Sequence, residues 1–327
     1  METVVYSCPF IPAEWIAAHR LRPSRILPHA KASETHFGSG GIGVCPYVRA
    51  FIGEVCSGAR PGAVVLTTTC DQMRRASEAI ADRSGASTFL FHVPTTWQTA
   101  AAQQYYTDEL KRLGRFLAGL GGEAPTNAGL AEVMDEYDTA RAKLRAARGR
   151  LSARQLSQAI ASFHRTGNLE YAPERPSASR GGIPLALVGG PLLRDHFDLF
   201  DLIERAGGDV VLDATTSGER TLPAPFDRRR LRADPLGVLA EAYFGHIPDA
   251  FRRPNSQLYT WLKRETAQRG VRGILFRHYL WCDTWHAEAQ RMKEWTELPL
   301  LTLVAGDEVG ANGHVRSRVQ SFLEMLR

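Results

Sequence analysis

Five cysteines occur in 327 residues, and three of them share a setting that favours thiolate chemistry. Cys70 follows the apolar run Val64–Val65–Leu66–Thr67–Thr68–Thr69 and precedes a helix-like stretch that begins at Asp71. Cys282 follows Ile274–Leu275–Phe276–Arg277–His278–Tyr279–Leu280–Trp281 and opens a segment with an apolar stripe at Trp285, Ala289, Met292 and Trp295. Cys45 closes the glycine-rich run 37–44, and Pro46 behind it suits the first turn of a helix. All three are thus predicted at helix N-termini, where free N–H groups and the positive dipole end favour thiolate over thiol. The carboxyl ends of parallel strands are also where open α/β sheets build their sites. Thiolates from three segments meeting in one crevice would hold a soft metal centre. The same spacing also fits three unrelated small hydrophobic residues at element ends. Cys8 and Cys56 lack the pattern, and Cys56 reads as buried filler on a helix.

Three thiolates admit two kinds of centre. Zinc needs a fourth ligand, which His278 or His286, four residues either side of Cys282, would supply. An iron–sulfur cube usually takes four cysteines, and with three it keeps one iron open to water or substrate. Glu14, just after Pro12–Ala13, reads either as an acid/base group or as a carboxylate at a helix start. His278 reads as a proton donor near the centre or as a structural histidine. Asp71 and Asp283 follow cysteines and suit first helical turns. Gly38–Ser39–Gly40–Gly41–Ile42–Gly43 spells a dinucleotide fingerprint, but the polar residues before it make no strand, so a dinucleotide site is rejected. Neither a Walker A sequence nor a G-x-S-x-G elbow occurs. Arg74, Arg75, Arg194 and Arg277 are solvated surface cations unless an anionic substrate calls on them.

The elements that would position these groups alternate between short apolar runs and helical stripes. Strands are predicted at 63–68, 88–93, 185–188, 210–213, 273–279 and 300–304, several of them apolar throughout, as strands covered on both faces are. Tyr106, Leu110, Leu113, Leu117 and Leu120 mark one amphipathic helix, and Leu130, Val133, Tyr137 and Leu144 another. The fold class is therefore α/β, with two open doubly wound (Rossmann- or flavodoxin-like) parallel-sheet domains and a helical connector. The expected division is 1–125 with Cys45 and Cys70, 126–180 as connector and loop, and 181–327 with Cys282. The segment 227–270, with helical pieces near 236–244 and 257–267, is expected to cover the second sheet. No sequence repeat is visible, although two such halves suggest a structural one.

Composition sets the bounds. Hydrophobic residues at 44% and charged residues at 23% describe an ordinary globular chain rather than a disordered or fibrous one. A net charge of +5, with no basic run longer than Arg228–Arg229–Arg230, gives no nucleic-acid footprint. No apolar stretch approaches the ~20 residues a membrane span needs. The opening residues carry no secretory pattern, and five cysteines make no disulfide framework, so a reducing cytoplasm is expected.

At these residues the sequence resembles the 2-hydroxyacyl-CoA dehydratase and benzoyl-CoA reductase family, in particular its smaller, D-component-like subunits. The likeness runs in order through Ile11–Pro12–Ala13–Glu14–Trp15, Cys45, Thr69–Cys70–Asp71, His92–Val93–Pro94, Gly189–Gly190–Pro191, Ile203–Glu204–Arg205–Ala206–Gly207–Gly208, Trp281–Cys282–Asp283 and Gly313–His314–Val315–Arg316–Ser317–Arg318. It departs after Asp283, where Thr284 stands in place of the family's usual proline. The resemblance implies an oxygen-sensitive [4Fe-4S] cluster on Cys45, Cys70 and Cys282, with the fourth iron free of protein ligands. It implies a related sister subunit or a homodimer, an acyl-CoA-type substrate and an ATP-hydrolysing iron–sulfur activator that injects one electron. The implied reaction is radical elimination of water from a 2-hydroxyacyl thioester through a ketyl. An ATP-coupled reductase of an aromatic or enoyl thioester on the same cluster is the alternative, and a non-catalytic electron-relay or scaffold subunit is a third reading.

Overall fold

The computed structural model describes residues 1–33, 43–57, 61–169, 181–306 and 313–327. The glycine motif at 38–43, apart from Gly43, and most of the expected boundary loop lie outside the described residues. Two four-stranded sheets organise the chain. The first contains β1 (Thr3–Tyr6), β2 (Arg22–Arg25), β3 (Ala63–Thr67) and β4 (Ser87–Phe91) in the order β2-β1-β3-β4. The second contains β5 (Ile183–Gly189), β6 (Gly208–Thr215), β7 (Gly273–Tyr279) and β8 (Leu300–Ala305) in the order β6-β5-β7-β8. All the pairings are parallel, so the two halves repeat one doubly wound arrangement and the expected fold class holds. The central strands β3 and β7 are buried at every position, which is why they read as apolar runs without alternation.

Helices cover both sheets. Pro46–Ser57 and Asp71–Ser84 flank the first, and Ala100–Gly119 lays Tyr106, Leu110, Leu113 and Leu117 into its core. The connector is a pair, Asn127–Ala147 and Ala153–Thr166. Thr126 caps the first through the Gly129 N–H, and Ser152 with Gln155 forms a reciprocal capping box on the second. The 227–270 segment corrects the sequence reading. Phe226, Leu231 and the stretch Val238–Ile247 join the core of the first sheet, where Phe244 stacks on Tyr106 at 4.7 Å. Ala250 and the helix Ser256–Gln268, through Leu258, Tyr259 and Leu262, pack on the second sheet. Apolar periodicity records that a helix has a buried face, but not which sheet it faces. The second half thus reaches back and clasps the first.

Candidate functional site

The carboxyl ends of both sheets open on one cavity of about 720 Å³, its mouth included. Ser7 and Cys8 after β1, Thr67 and Thr69 at the end of β3, Pro191 after β5, Thr216 after β6 and Tyr279 at the end of β7 all line it. Cys45, Cys70 and Cys282 line it as well, so the three segments singled out by sequence converge there. The turn that carries Pro191 requires Gly189: at φ +154° a side chain there would place Cβ 1.8 Å from the Arg277 carbonyl oxygen.

Each cysteine sits where a strand or loop gives way to helix. Cys70 is extended (φ −137°, ψ 127°) ahead of Asp71–Ser84, Cys45 precedes Pro46–Ser57, and Cys282 precedes the short turn Asp283–His286. The expected helix after Cys282 breaks at Ala287 and resumes at Glu288–Trp295. Amide groups of Tyr47 and Val48 approach the Cys45 sulfur, those of Gln72 and Met73 approach Cys70, and that of Trp285 approaches Cys282. Neither Cys70 nor Cys282 makes a formal capping bond, so the effect of these amides there is electrostatic. The Cys282 thiol hydrogen-bonds to Cys45, which holds Cys45 below the ordinary thiol range and Cys282 above it. Burial pushes Cys70 up to about 11.

One side chain ties the three segments together. Gln72 accepts the Cys45 backbone N–H on Oε1 at 2.5 Å and donates from Nε2 to the Trp281 carbonyl at 2.9 Å. Trp281 is 48% exposed and holds φ +67°; Arg20 is the other non-glycine residue with positive φ among those described. A left-handed tryptophan beside a ligand candidate is the kind of local strain that surrounding bonds must maintain.

The remaining wall is polar on one side and aromatic on the other. Thr67 and Thr69 share a 2.8 Å hydroxyl contact, and the Cys8 sulfur lies 3.5 Å from Thr69 Oγ1. Asp249 receives Arg220 Nη1 at 2.7 Å and the Phe251 N–H at 2.9 Å, while Arg220 lies 5.0 Å from the Trp285 ring centroid. Phe10, Phe251 and Trp285 are among the cavity's aromatic lining.

Other sequence candidates lie elsewhere. Glu14 is fully buried and bonds Arg141 Nη1 at 2.5 Å and the Tyr243 hydroxyl at 2.6 Å, and it does not line the cavity. It clamps its own helix, the connector and the returning segment. His278 is buried on β7, with Nδ1 3.1 Å from the Tyr279 carbonyl and its ring edge-on to His286 at 5.2 Å; burial holds it below the usual histidine range. Neither histidine lines the cavity, and among the described residues no three His, Cys, Asp or Glu side chains are placed to hold a single metal ion. Neither histidine thus stands in the cavity as the fourth ligand that the zinc alternative calls on. Arg277 is buried against Tyr279 and His196, and Arg74 and Arg75 pair with Asp71 on the surface. Cys56 is on a helix as expected and lies outside the cavity lining. The sequence reading missed Cys8, Thr67, Thr69 and Asp249. The usable signal was the Val4–Val5–Tyr6 run, which marks a strand ending just before Cys8.

Comparison with protein-family models matches residues 8–326 to the family described as 2-hydroxyglutaryl-CoA dehydratase, D-component. No curated protein matches the chain.

Proposed function

Because the chain belongs to the 2-hydroxyglutaryl-CoA dehydratase D-component family, we propose that it is the iron–sulfur subunit of an enzyme removing water from a 2-hydroxyacyl-CoA thioester by one-electron chemistry. The observation that carries this reading is the convergence of Cys45, Cys70 and Cys282, from three segments and both sheets, on one cavity. Under it these cysteines hold a [4Fe-4S] cluster. The donor set suits that group: the ligands are soft, they converge from three segments on one cavity, and amides near each sulfur favour the thiolate and tune the potential. When bound, the cluster supplies a low-potential electron and one iron without a protein thiolate. A sister subunit or second copy, and an ATP-hydrolysing iron–sulfur activator, complete the assembly.

The chain's own residues then have defined tasks. The Thr67 and Thr69 hydroxyls offer a paired donor and acceptor for the substrate hydroxyl. Asp249, oriented by Arg220, accepts the proton that leaves the β-carbon, adjacent to the carbon that loses the hydroxyl. Phe10, Phe251 and Trp285 keep water from the reacting carbon.

The test is iron, acid-labile sulfide and zinc per chain after purification without oxygen, followed by addition of a 2-hydroxyacyl-CoA. About four irons and four sulfides per chain are expected for cysteine-ligated cubic clusters, with a visible spectrum that responds to the thioester. Dehydration leaves no net reduction, so electrons consumed in proportion to product assign the reductase reaction instead. About one zinc and no sulfide, the composition of a thiolate–histidine site, overturns the reading.

A further inference from the structure

We infer that a second site, an arginine-lined groove behind the cysteine cavity, binds the phosphate groups of an anionic ligand. The groove encloses about 780 Å³, its open mouth included, and four guanidinium groups line it, those of Arg25, Arg154, Arg165 and Arg194. Gln158 and Ser162 add neutral hydrogen-bonding groups, and no carboxylate lines the groove among the described residues.

The charge balance there is one-sided. Arg154 is met by Asp198 at 2.9 Å and by Asp201, which compensates that one cation. Arg165 and Arg194 have no ion pair among the described residues. Asp195, next to Arg194 in the chain, turns away to the Ala30 N–H at 2.6 Å and to His29. Arg25 is the informative member, because it is buried and every group it bonds is neutral. Its Nε donates to the Ser7 carbonyl at 3.0 Å, Nη2 to the Thr216 carbonyl at 2.6 Å and Nη1 to Thr221 Oγ1 at 3.2 Å, with His164 Nδ1 3.3 Å away. A buried cation is ordinarily paired with an acid. Here the compensating charge is left to whatever enters the groove.

The shape of the donors selects the ligand class. Guanidinium groups present planar forks that match phosphate oxygens in pairs, and clusters of them recur where phosphate esters are recognised. A carboxylate would satisfy one fork, whereas the uncompensated charges of Arg25, Arg165 and Arg194 suit a ligand with more than one phosphate. Coenzyme A carries a diphosphate and a separate phosphate monoester, and a free nucleotide carries similar groups. The phosphate assignment stands on the groove itself; naming a coenzyme A thioester as the source rests on the proposed dehydratase function. The groove and the cavity are neighbours, since Ser7 and Thr216, which anchor Arg25 from behind, also line the cysteine cavity.

The experiment is calorimetric titration of the full, iron-loaded chain with coenzyme A, 3′-dephospho-coenzyme A, ADP, pantetheine and inorganic phosphate. It is repeated on the double variant Arg165→Gln/Arg194→Gln; Arg25 is left intact because its bonds hold the wall. The phosphate-bearing compounds are expected to bind at least tenfold more weakly to the variant, with pantetheine not binding either protein. Coenzyme A binding more tightly than ADP and phosphate names the thioester's nucleotide end as the source. Equal binding of ADP names a free nucleotide, and equal binding of phosphate alone names an inorganic oxyanion; each sustains the site. Affinities unchanged by the double substitution, or no binding by any phosphate compound, overturn it. Such a failure leaves iron content and the thioester response untouched. Conversely, a chain that binds ADP but holds no iron keeps the groove and loses the dehydratase reading.

Discussion

The two sheets share one strand order, yet they contribute unequally to the cavity between them. β3 and β7 occupy the same place in that order, and Cys70 and Cys282 each follow the last residue of their strand by three positions. β2 and β6 are likewise equivalent, and Arg25 at the end of one bonds Thr216 just beyond the other. The repeat breaks in the crossover that follows. Between β2 and β3 the first half places Cys45 and its helix, while between β6 and β7 the second half sends a long segment over the first sheet. That segment returns to the cavity with Asp249 and Phe251. Fold symmetry thus delivers two thiols, one crossover supplies a third, and the other supplies a carboxylate and an aromatic wall. The two halves build the cavity wall unequally, with Cys8 after β1 as a further thiol in the lining.

The largest expected effect tests the equivalence itself. Cys70→Ser and Cys282→Ser should lose most bound iron to the same extent, and Cys45→Ser should match them although it has no counterpart in the second half. Cys56→Ser and Cys8→Ser should keep their iron, with metal analysis as the measurement. Equal retention in all five variants would remove the ligand assignment. Next comes the clamp that joins the halves away from the cavity. Glu14→Ala takes from the buried Arg141 guanidinium, whose Nε and Nη2 already lack hydrogen-bond partners, its bonded carboxylate and leaves it only Asp138 at 3.9 Å. The expected cost is about 3–5 kcal/mol in a denaturation experiment, with iron per folded chain unchanged. Iron lost in proportion to stability would instead make Glu14 part of the cavity's support.

The contrast between the halves also explains what the sequence revealed. Six strands were legible because each carries a short apolar run; β3 and β7 are buried at every position, whereas the edge strands β4 and β8 are only partly covered. β2 was not, since Arg22–Pro23–Ser24–Arg25 contains no apolar residue other than proline. It forms on a sheet edge, where proline is tolerated, and Arg25 is buried only because distant carbonyls and hydroxyls receive its donors. β1 is only four residues long and passed unread, and Cys8 was set aside with it. The three cysteines were found because a thiol at a strand-to-helix junction is a local signal. Asp249 depends on a crossover that packs on the other half of the molecule, and no local pattern encodes that.

Gln72 gives a smaller, sharper test of how the halves are held in register at the site. Gln72→Leu removes the acceptor of the Cys45 N–H and the donor to the Trp281 carbonyl, two bonds worth about 2 kcal/mol together. Gln72→Glu keeps the acceptor and should recover roughly half of that. If Gln72 aligns the three cysteine segments, reconstitution of the apo-protein should slow in the order wild type, Glu, Leu, read as the growth of visible absorbance with added iron and sulfide. Identical reconstitution rates would reduce it to an ordinary surface bond.

The smallest effect probes the seam between β2 and β6. His164 lies beside Arg25, and desolvation, then the charges of Arg25 and Arg141, hold it well below the ordinary histidine range. A depressed histidine binds protons more readily in the unfolded chain, so its contribution is complete above the unfolded value of about 6.5 and is lost as pH falls below it. The slope is at most about 1.4 kcal/mol per pH unit. His19 and His278 are shifted in the same direction, so the wild-type pH dependence alone does not isolate the seam. The difference between wild type and His164→Gln does, and it should shrink by about 1 kcal/mol between about pH 7 and pH 5.5. A difference independent of pH would mean that the seam accepts a third cation beside two guanidinium groups. The first and second halves would then meet there through water rather than through the bonds of Arg25, and the equivalence of β2 and β6 would be one of topology alone.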